Sequence, residues 1–332
     1  MEYKEFLEQY PAIKEHYNHS NKILEILRNE IREALDSNEY KDSLTVVTTG
    51  SYGRREASSE SDIDLFIFFN SEEPDDALEE VKKTITEITK KHIAKDAGDT
   101  GTFGPNAIVR FHTMLTNIGG DNDSNQNFTR RMLFLLEGTW LYSEERFDKY
   151  RAELLAKYLK TGNPQNQISR FLFNDIIRYY RTITTDFEYK VTESQKSWGL
   201  RNIKLRFSRK ILYFGGVVSV AETALKTNEQ KAVELSSLID IPVLERIWSV
   251  GGSNPQTQKI FSIYEDFLGA INCPHKRDTL ENVTRDKREE SSEFLELRCK
   301  SKMFSDVLAE WIKHQYSTDP TKPHPIHNAL LF

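Results

Sequence analysis

Apolar residues recur at helical spacing through most of this chain and at strand spacing in three short stretches. From about Glu2 to Ser37, positions Ile23, Leu24, Ile26, Leu27, Ile31 and Leu35 repeat with a helical period, which predicts helix. "SLTVVTTG" is β-branched and apolar and stops at Gly50, as a strand does on entering a turn. "DIDLFIFF" predicts a second strand, closed by the turn-forming "NSEEPDD". In "DDALEEVKKTITEITKKHIAK" a stripe of Leu78, Val81, Ile85, Ile88 and Ile93 follows an Asp-rich start and meets a Lys-rich end, so a helix packed on the sheet is expected. "NAIVRFHTMLTNI" offers a third strand.

From "NQNFTRRMLFLLEGTWLYSEERFDKYRAELLAKYL" onward, nearly every stretch reads as helix, and "KTGNPQNQ" is the first clear linker. The expected fold class is therefore α+β: a short mixed sheet with helices over residues 1–160, an all-helical domain over 161–316, and an irregular Pro-rich tail over 317–332. No internal repeat is evident.

The 332 residues leave room for two cores. With 38% hydrophobic and 29% charged residues and no apolar run of about 18, the composition is that of a water-soluble chain. The N-terminal stretch lacks a basic region followed by an apolar one, so no secretory leader is expected. The two cysteines, Cys273 and Cys299, lie near no second cysteine or histidine at zinc spacing, which points to a reducing, cytoplasmic setting. A net charge of -6 argues against a general nucleic-acid coat.

The chemistry concentrates in "TTGSYGRREASSESDIDLFIFF". Side chains alternate across a strand, so Asp62 and Asp64 share a face while Ile63 and Leu65 enter the core. Two neighbouring carboxylates repel unless a cation lies between them, and hard Mg²⁺ takes carboxylate oxygens together with water and substrate phosphates. Gly50 has no Cβ to hold a phosphate away, the amides that follow are donors, and Ser51 adds a hydroxyl. Arg54 and Arg55 add charge, with Arg54 the better placed. A triphosphate held by the turn at one end and bridged by metal at the other is a coherent ligand.

Gly50-Ser51, followed after ten residues by Asp62-Ile63-Asp64, resembles the signature of the nucleotidyltransferase superfamily typified by DNA polymerase beta. The fuller "GSYGRREASSESDIDL" looks most like the branch containing the PII-protein uridylyltransferase and its stand-alone relatives. "YKVTESQKSWGLRNIKL" and "RRMLFLLEGTWLYSEERFDKY" echo later segments of that branch, so the resemblance spans roughly Leu44 to Lys204. It implies a polymerase-beta-like α/β domain that transfers an NMP from an NTP, ATP among the candidates, to an acceptor hydroxyl on a protein, an RNA end or a small molecule. It also implies two Mg²⁺ ions, with Mn²⁺ able to substitute, held by Asp62 and Asp64, and an NTP held by Gly50, Ser51, Tyr52, Gly53 and Arg54.

Relatives usually carry a third carboxylate on a later strand, and "NAIVRFHTML" has none. Asp96, Asp99, Asp121 and Asp123 are the candidates. The later echo has Ser197-Trp198 and Asn202 where the pattern prefers glycine and aspartate, and no room remains for the hydrolase and sensing modules of the full-length uridylyltransferase. A nucleotide-sensing or antitoxin-like interaction module without turnover is therefore the competing expectation. Lys196, Arg201, Lys204, Arg206, Arg209 and Lys210 form a basic ridge without an acid between Glu193 and Glu222. The ridge is read as a solvated face or as a grip on an anionic substrate. "DNDSNQNF" lacks the glycine and glutamate of a calcium loop, and "HPIH" is read as incidental. Phe171, Phe173, Tyr179, Tyr180 and Phe187 are read as helix core.

Overall fold

A computed structural model describes residues 2–95, 103–160, 167–192 and 197–331. Asp96, Asp99, Lys196, Phe332 and most of the "KTGNPQNQ" linker lie outside the described residues. The chain divides into two compact units, one of Glu15–Lys160 and one of Met1–Lys14 with Thr161–Phe332.

The first unit is built on a four-stranded sheet. β1 (Leu44–Thr49), β2 (Asp64–Phe69), β3 (Ile108–Val109) and β4 (Thr139–Tyr142) lie in the order β3-β2-β1-β4. β1 is antiparallel to both β2 and β4, and β2 is parallel to β3. One face carries Leu44, Val46, Leu65, Ile67 and Phe69 against Leu24, Leu27, Ile31 and Leu35 of the helix Pro11–Leu35, and against Val81 and Ile85 of the helix Glu79–His92. On the other face Phe68 meets Phe111, Phe134 and Tyr150 edge-on at ring distances of 5.2–5.5 Å. Both sides of β2 are thus covered, which is why its sequence is almost continuously apolar. Each fully buried Phe there contributes about 1.5–3 kcal/mol by leaving water.

Three segments differ from their sequence patterns. The "NAIVRFHTMLTNI" strand is only Ile108–Val109, and a helix Phe111–Thr116 follows because Phe111 and Met114, one turn apart, are both buried. "TWLY", read within a helical run, is β4: the preceding helix Asn125–Leu136 ends before Gly138, and the burial then alternates residue by residue as a strand requires. In "DNDSNQNF", Ser124 caps that helix by accepting from the Asn127 amide.

The second unit is helical. Its helices include Arg170–Thr192, Gly199–Lys204, Lys210–Glu222, Val243–Gly251, Pro255–Asn272 and Ser292–Gln315. The first fourteen residues pack here. Phe6 is fully buried with its ring 4.9 Å from Phe261 and 6.0 Å from Trp248, and the Ala12 and Ile13 amides donate to the Glu265 carboxylate at 2.7 and 2.9 Å. Near the C-terminus, "HPIH" enters a short helix Pro325–Ala329 that buries Ile326 completely, so this part of the tail is ordered by one apolar anchor. Cys273 and Cys299 are free thiols, and among the described residues no helix is long and apolar enough to cross a membrane.

Candidate active site

Strand register assembles the site. In the antiparallel β1–β2 ladder the last pair is Thr49 with Asp64, so the residue after β1, Gly50, lies beside the carboxylate that starts β2. Gly50 has φ +67°, and a Cβ there would stand 2.5 Å from Asp64 Oδ2. Only glycine permits both the backbone angle and that approach. The Thr48 hydroxyl ties the same corner by donating to the Asp64 carbonyl at 2.8 Å.

Asp62 lies just ahead of β2. It is exposed, Ile63 is 1% exposed, and Asp64 is half-buried, so the alternation expected of a strand already holds over these residues. Tyr52, in the short helix Gly50–Arg54, is buried, and burial followed by the charge of Asp62 pushes its hydroxyl up to about 12. Its phenol therefore stays neutral, within the field of Asp62, across the physiological range. Ser51 is half-buried in the same turn, and its carbonyl accepts from the Glu56 amide at 2.7 Å.

The expected phosphate ligand Arg54 is placed differently. Its side chain is 6% exposed and lies between two carboxylates, with Nε donating to Glu56 at 2.8 Å and Nη1 to Glu137 at 2.5 Å. A buried guanidinium held this way is structural, because desolvation makes a paired carboxylate the partner that keeps it charged. The other oxygen of Glu137 accepts the Gly50 amide at 2.8 Å, so one acid fixes both ends of the turn. Gly53 completes the fit, since a Cβ there would come 2.0 Å from the Glu137 carbonyl oxygen. Arg55, at φ 62°, caps the turn by donating to the Tyr52 and Gly53 carbonyls and to Asn21.

The helix Pro11–Leu35 secures the way out of the turn. His16 donates from Nδ1 to the Glu56 carbonyl at 2.9 Å, and the Ala57 amide donates to Ser20 at 3.0 Å. Sequence reasoning passed over Glu137, Glu56, His16 and Ser20. Glu137 left one signal, a single acid closing the apolar run "MLFLLEG", where an unpaired charge would be costly.

Among the candidates for a third carboxylate, Asp123 is committed elsewhere. Both its oxygens accept from the fully buried Arg131 at 2.8 Å. Asp121 is exposed in the same loop. Among the described residues no group of three His, Cys, Asp or Glu side chains is arranged to hold a metal ion. Asp62 and Asp64 present a two-carboxylate edge of the kind that suits Mg²⁺ when water and phosphate oxygens supply the remaining ligands.

A family model described as a nucleotidyltransferase domain matches residues 28–97. The matched span takes in β1, the Gly50–Arg54 turn, both aspartates, β2 and the helix Glu79–His92. No curated protein matches the chain.

Proposed function

We propose that the protein transfers a nucleoside monophosphate from an NTP to an acceptor hydroxyl, since residues 28–97 match a nucleotidyltransferase-domain model and the α/β unit fits a polymerase-beta-like fold. The observation that carries this reading is the pairing of Thr49 with Asp64, which sets Gly50 against the Asp64 carboxylate. In the reaction the acceptor oxygen bonds to the α-phosphorus, the bond from that phosphorus to the bridging oxygen breaks, and pyrophosphate leaves with those electrons while the acceptor's proton passes to water. Asp62 and Asp64 would hold Mg²⁺, which when bound would supply positive charge to the phosphate oxygens. Gly50 lets the NTP approach the backbone and Ser51 adds a hydroxyl at the phosphates. Glu137, bonded to Arg54 and the Gly50 amide, keeps the turn from shifting as charge moves.

The test is incubation with each of the four α-³²P-labelled NTPs and Mg²⁺, with and without cell lysate, beside the Asp62→Asn/Asp64→Asn variant. Label should reach a protein, RNA or small molecule with the unsubstituted chain and fall by at least about 10³-fold in the variant, with the thermal midpoint retained. Transfer that survives both substitutions would sink the proposal. A second reading, a nucleotide-binding module without turnover, is favoured by the commitment of Asp123 to Arg131. It predicts NTP binding by equilibrium dialysis and no label transfer to any lysate component.

A further inference from the structure

Within the helical unit, Gly199–Lys204 passes through a π-helical turn, Leu205–Arg209, into the helix Lys210–Glu222. A π turn gives up regular hydrogen bonding and is found frequently at functional places, where the extra residue re-aims side chains. Here it carries Arg206 and leads directly to Lys210. Arg206 Nε donates to Asn202 Oδ1 at 2.6 Å, and Lys210 Nζ donates to Ser305 Oγ at 2.5 Å on the helix Ser292–Gln315. The same helix supplies Arg298, and all three cations are half-buried.

Their partners do not balance their charge. Among the described residues neither Arg206 nor Lys210 forms an ion pair; an amide and a hydroxyl, both neutral, accept from them. Arg298 donates to Glu289 at 2.8 Å, but that carboxylate is shared with Arg288 at 3.2 Å. Burial, then the neighbouring Arg206, draws the Lys210 ammonium down, with Asp306 acting in the opposite sense. Burial and Arg298 draw Arg206 down in turn, against Tyr180. Tyr180, expected in the helix core, is instead half-buried and stacks on Tyr213 at 4.7 Å, next to this cluster.

Two cations without a carboxylate partner, beside a third that shares one, are costly when partly withdrawn from water unless a further anion joins them. We propose that Arg206, Lys210 and Arg298 form an oxyanion site that takes a phosphate group of a phosphorylated ligand. A guanidinium donates two parallel hydrogen bonds to a phosphate and an ammonium adds a compact third charge, so this set suits a dianion better than a single carboxylate. The site lies in the helical unit and does not depend on what Asp62 and Asp64 do.

The probe is inorganic pyrophosphate, titrated calorimetrically into the intact chain in EDTA at low ionic strength. Binding at one site should weaken at least about tenfold in Arg206→Gln/Lys210→Gln and by less than about twofold in the exposed control Arg201→Gln. It should also weaken steeply with added salt. No binding, or equal affinity in the double variant, overturns the site. A measurement on the unsubstituted protein guards against a variant that fails to fold: amine-selective acylation read by mass spectrometry. Pyrophosphate should protect Lys210 and leave exposed Lys83 unchanged, and equal labelling of Lys210 with and without pyrophosphate also overturns the site. Protection by ATP as well would assign the site to the polyphosphate of the nucleotide. Protection by pyrophosphate and not by ATP would assign it to a separate phosphorylated ligand.

Discussion

At the scale of single residues, Gly50 and Glu137 define the site more sharply than the charged groups the sequence advertises. Gly50→Ala must pay for a left-handed φ and for a Cβ 2.5 Å from Asp64 Oδ2, whereas Gly119, at φ +74°, has open space around its Cβ position. Gly119→Ala should therefore cost about 1 kcal/mol and Gly50→Ala roughly 2–3 in denaturant unfolding, with nucleotidyl transfer lost only in the latter. Glu137→Ala takes from the buried Arg54 one of the two carboxylates described against it. It should destabilise by about 3–5 kcal/mol, and Glu137→Gln, which keeps an acceptor for the Gly50 amide, by less. Tyr52 gives a pH signature. Its hydroxyl titrates near 10.0 when unfolded and is pushed up to about 12 in the folded state. Between those values the unfolded chain has lost a proton the folded chain keeps, so stability falls as pH rises through that window. The loss attributable to Tyr52 is about 2–3 kcal/mol, and unfolding measured from pH 9 to 12 should be correspondingly flatter in Tyr52→Phe. The approach of Gly50 to Asp64 was legible because it depends on close sequence spacing. The pairing of Arg54 with Glu137 was not, because that partner is distant in the chain and a guanidinium looks the same in sequence whether it meets phosphate or carboxylate.

At the scale of elements, the two central strands were readable because β1 and β2 are dense in β-branched and aromatic residues. β4 was hidden, since "LFLLEGTWLY" carries apolar residues at spacings that serve either period and only Gly138 marks the change. β3 was overestimated because Phe111 and Met114 continue an apolar pattern that burial resolves as helix. The aromatic cluster on the second face of β2 should dominate the stability of its unit. Phe68→Ala removes a fully buried ring that meets Phe66, Phe111, Phe134 and Tyr150, and is expected to cost about 3–5 kcal/mol by chemical denaturation. A cost below about 1 kcal/mol would mean that the sheet is held chiefly by its other face.

At the scale of the whole molecule, one unit is continuous in sequence and the other is not. Periodicity could indicate that the N-terminal residues are helical, but not which core receives them, because an amphipathic stripe does not name its partner. Removing residues 1–14 uncovers Trp248 and Phe261 and takes Phe6 and Leu7 out of a buried environment. The helical unit should lose at least about 4 kcal/mol, seen as early proteolysis within 167–331 while 15–160 stays protected. The same arrangement has a consequence for biosynthesis. Phe6 leaves the ribosome ahead of Trp248 and Phe261, and at ~5–20 residues per second the intervening chain takes on the order of tens of seconds to make. Throughout that interval Phe6 has no native pocket and stays open to a chaperone, and the helical unit cannot close until the α/β unit has been completely translated.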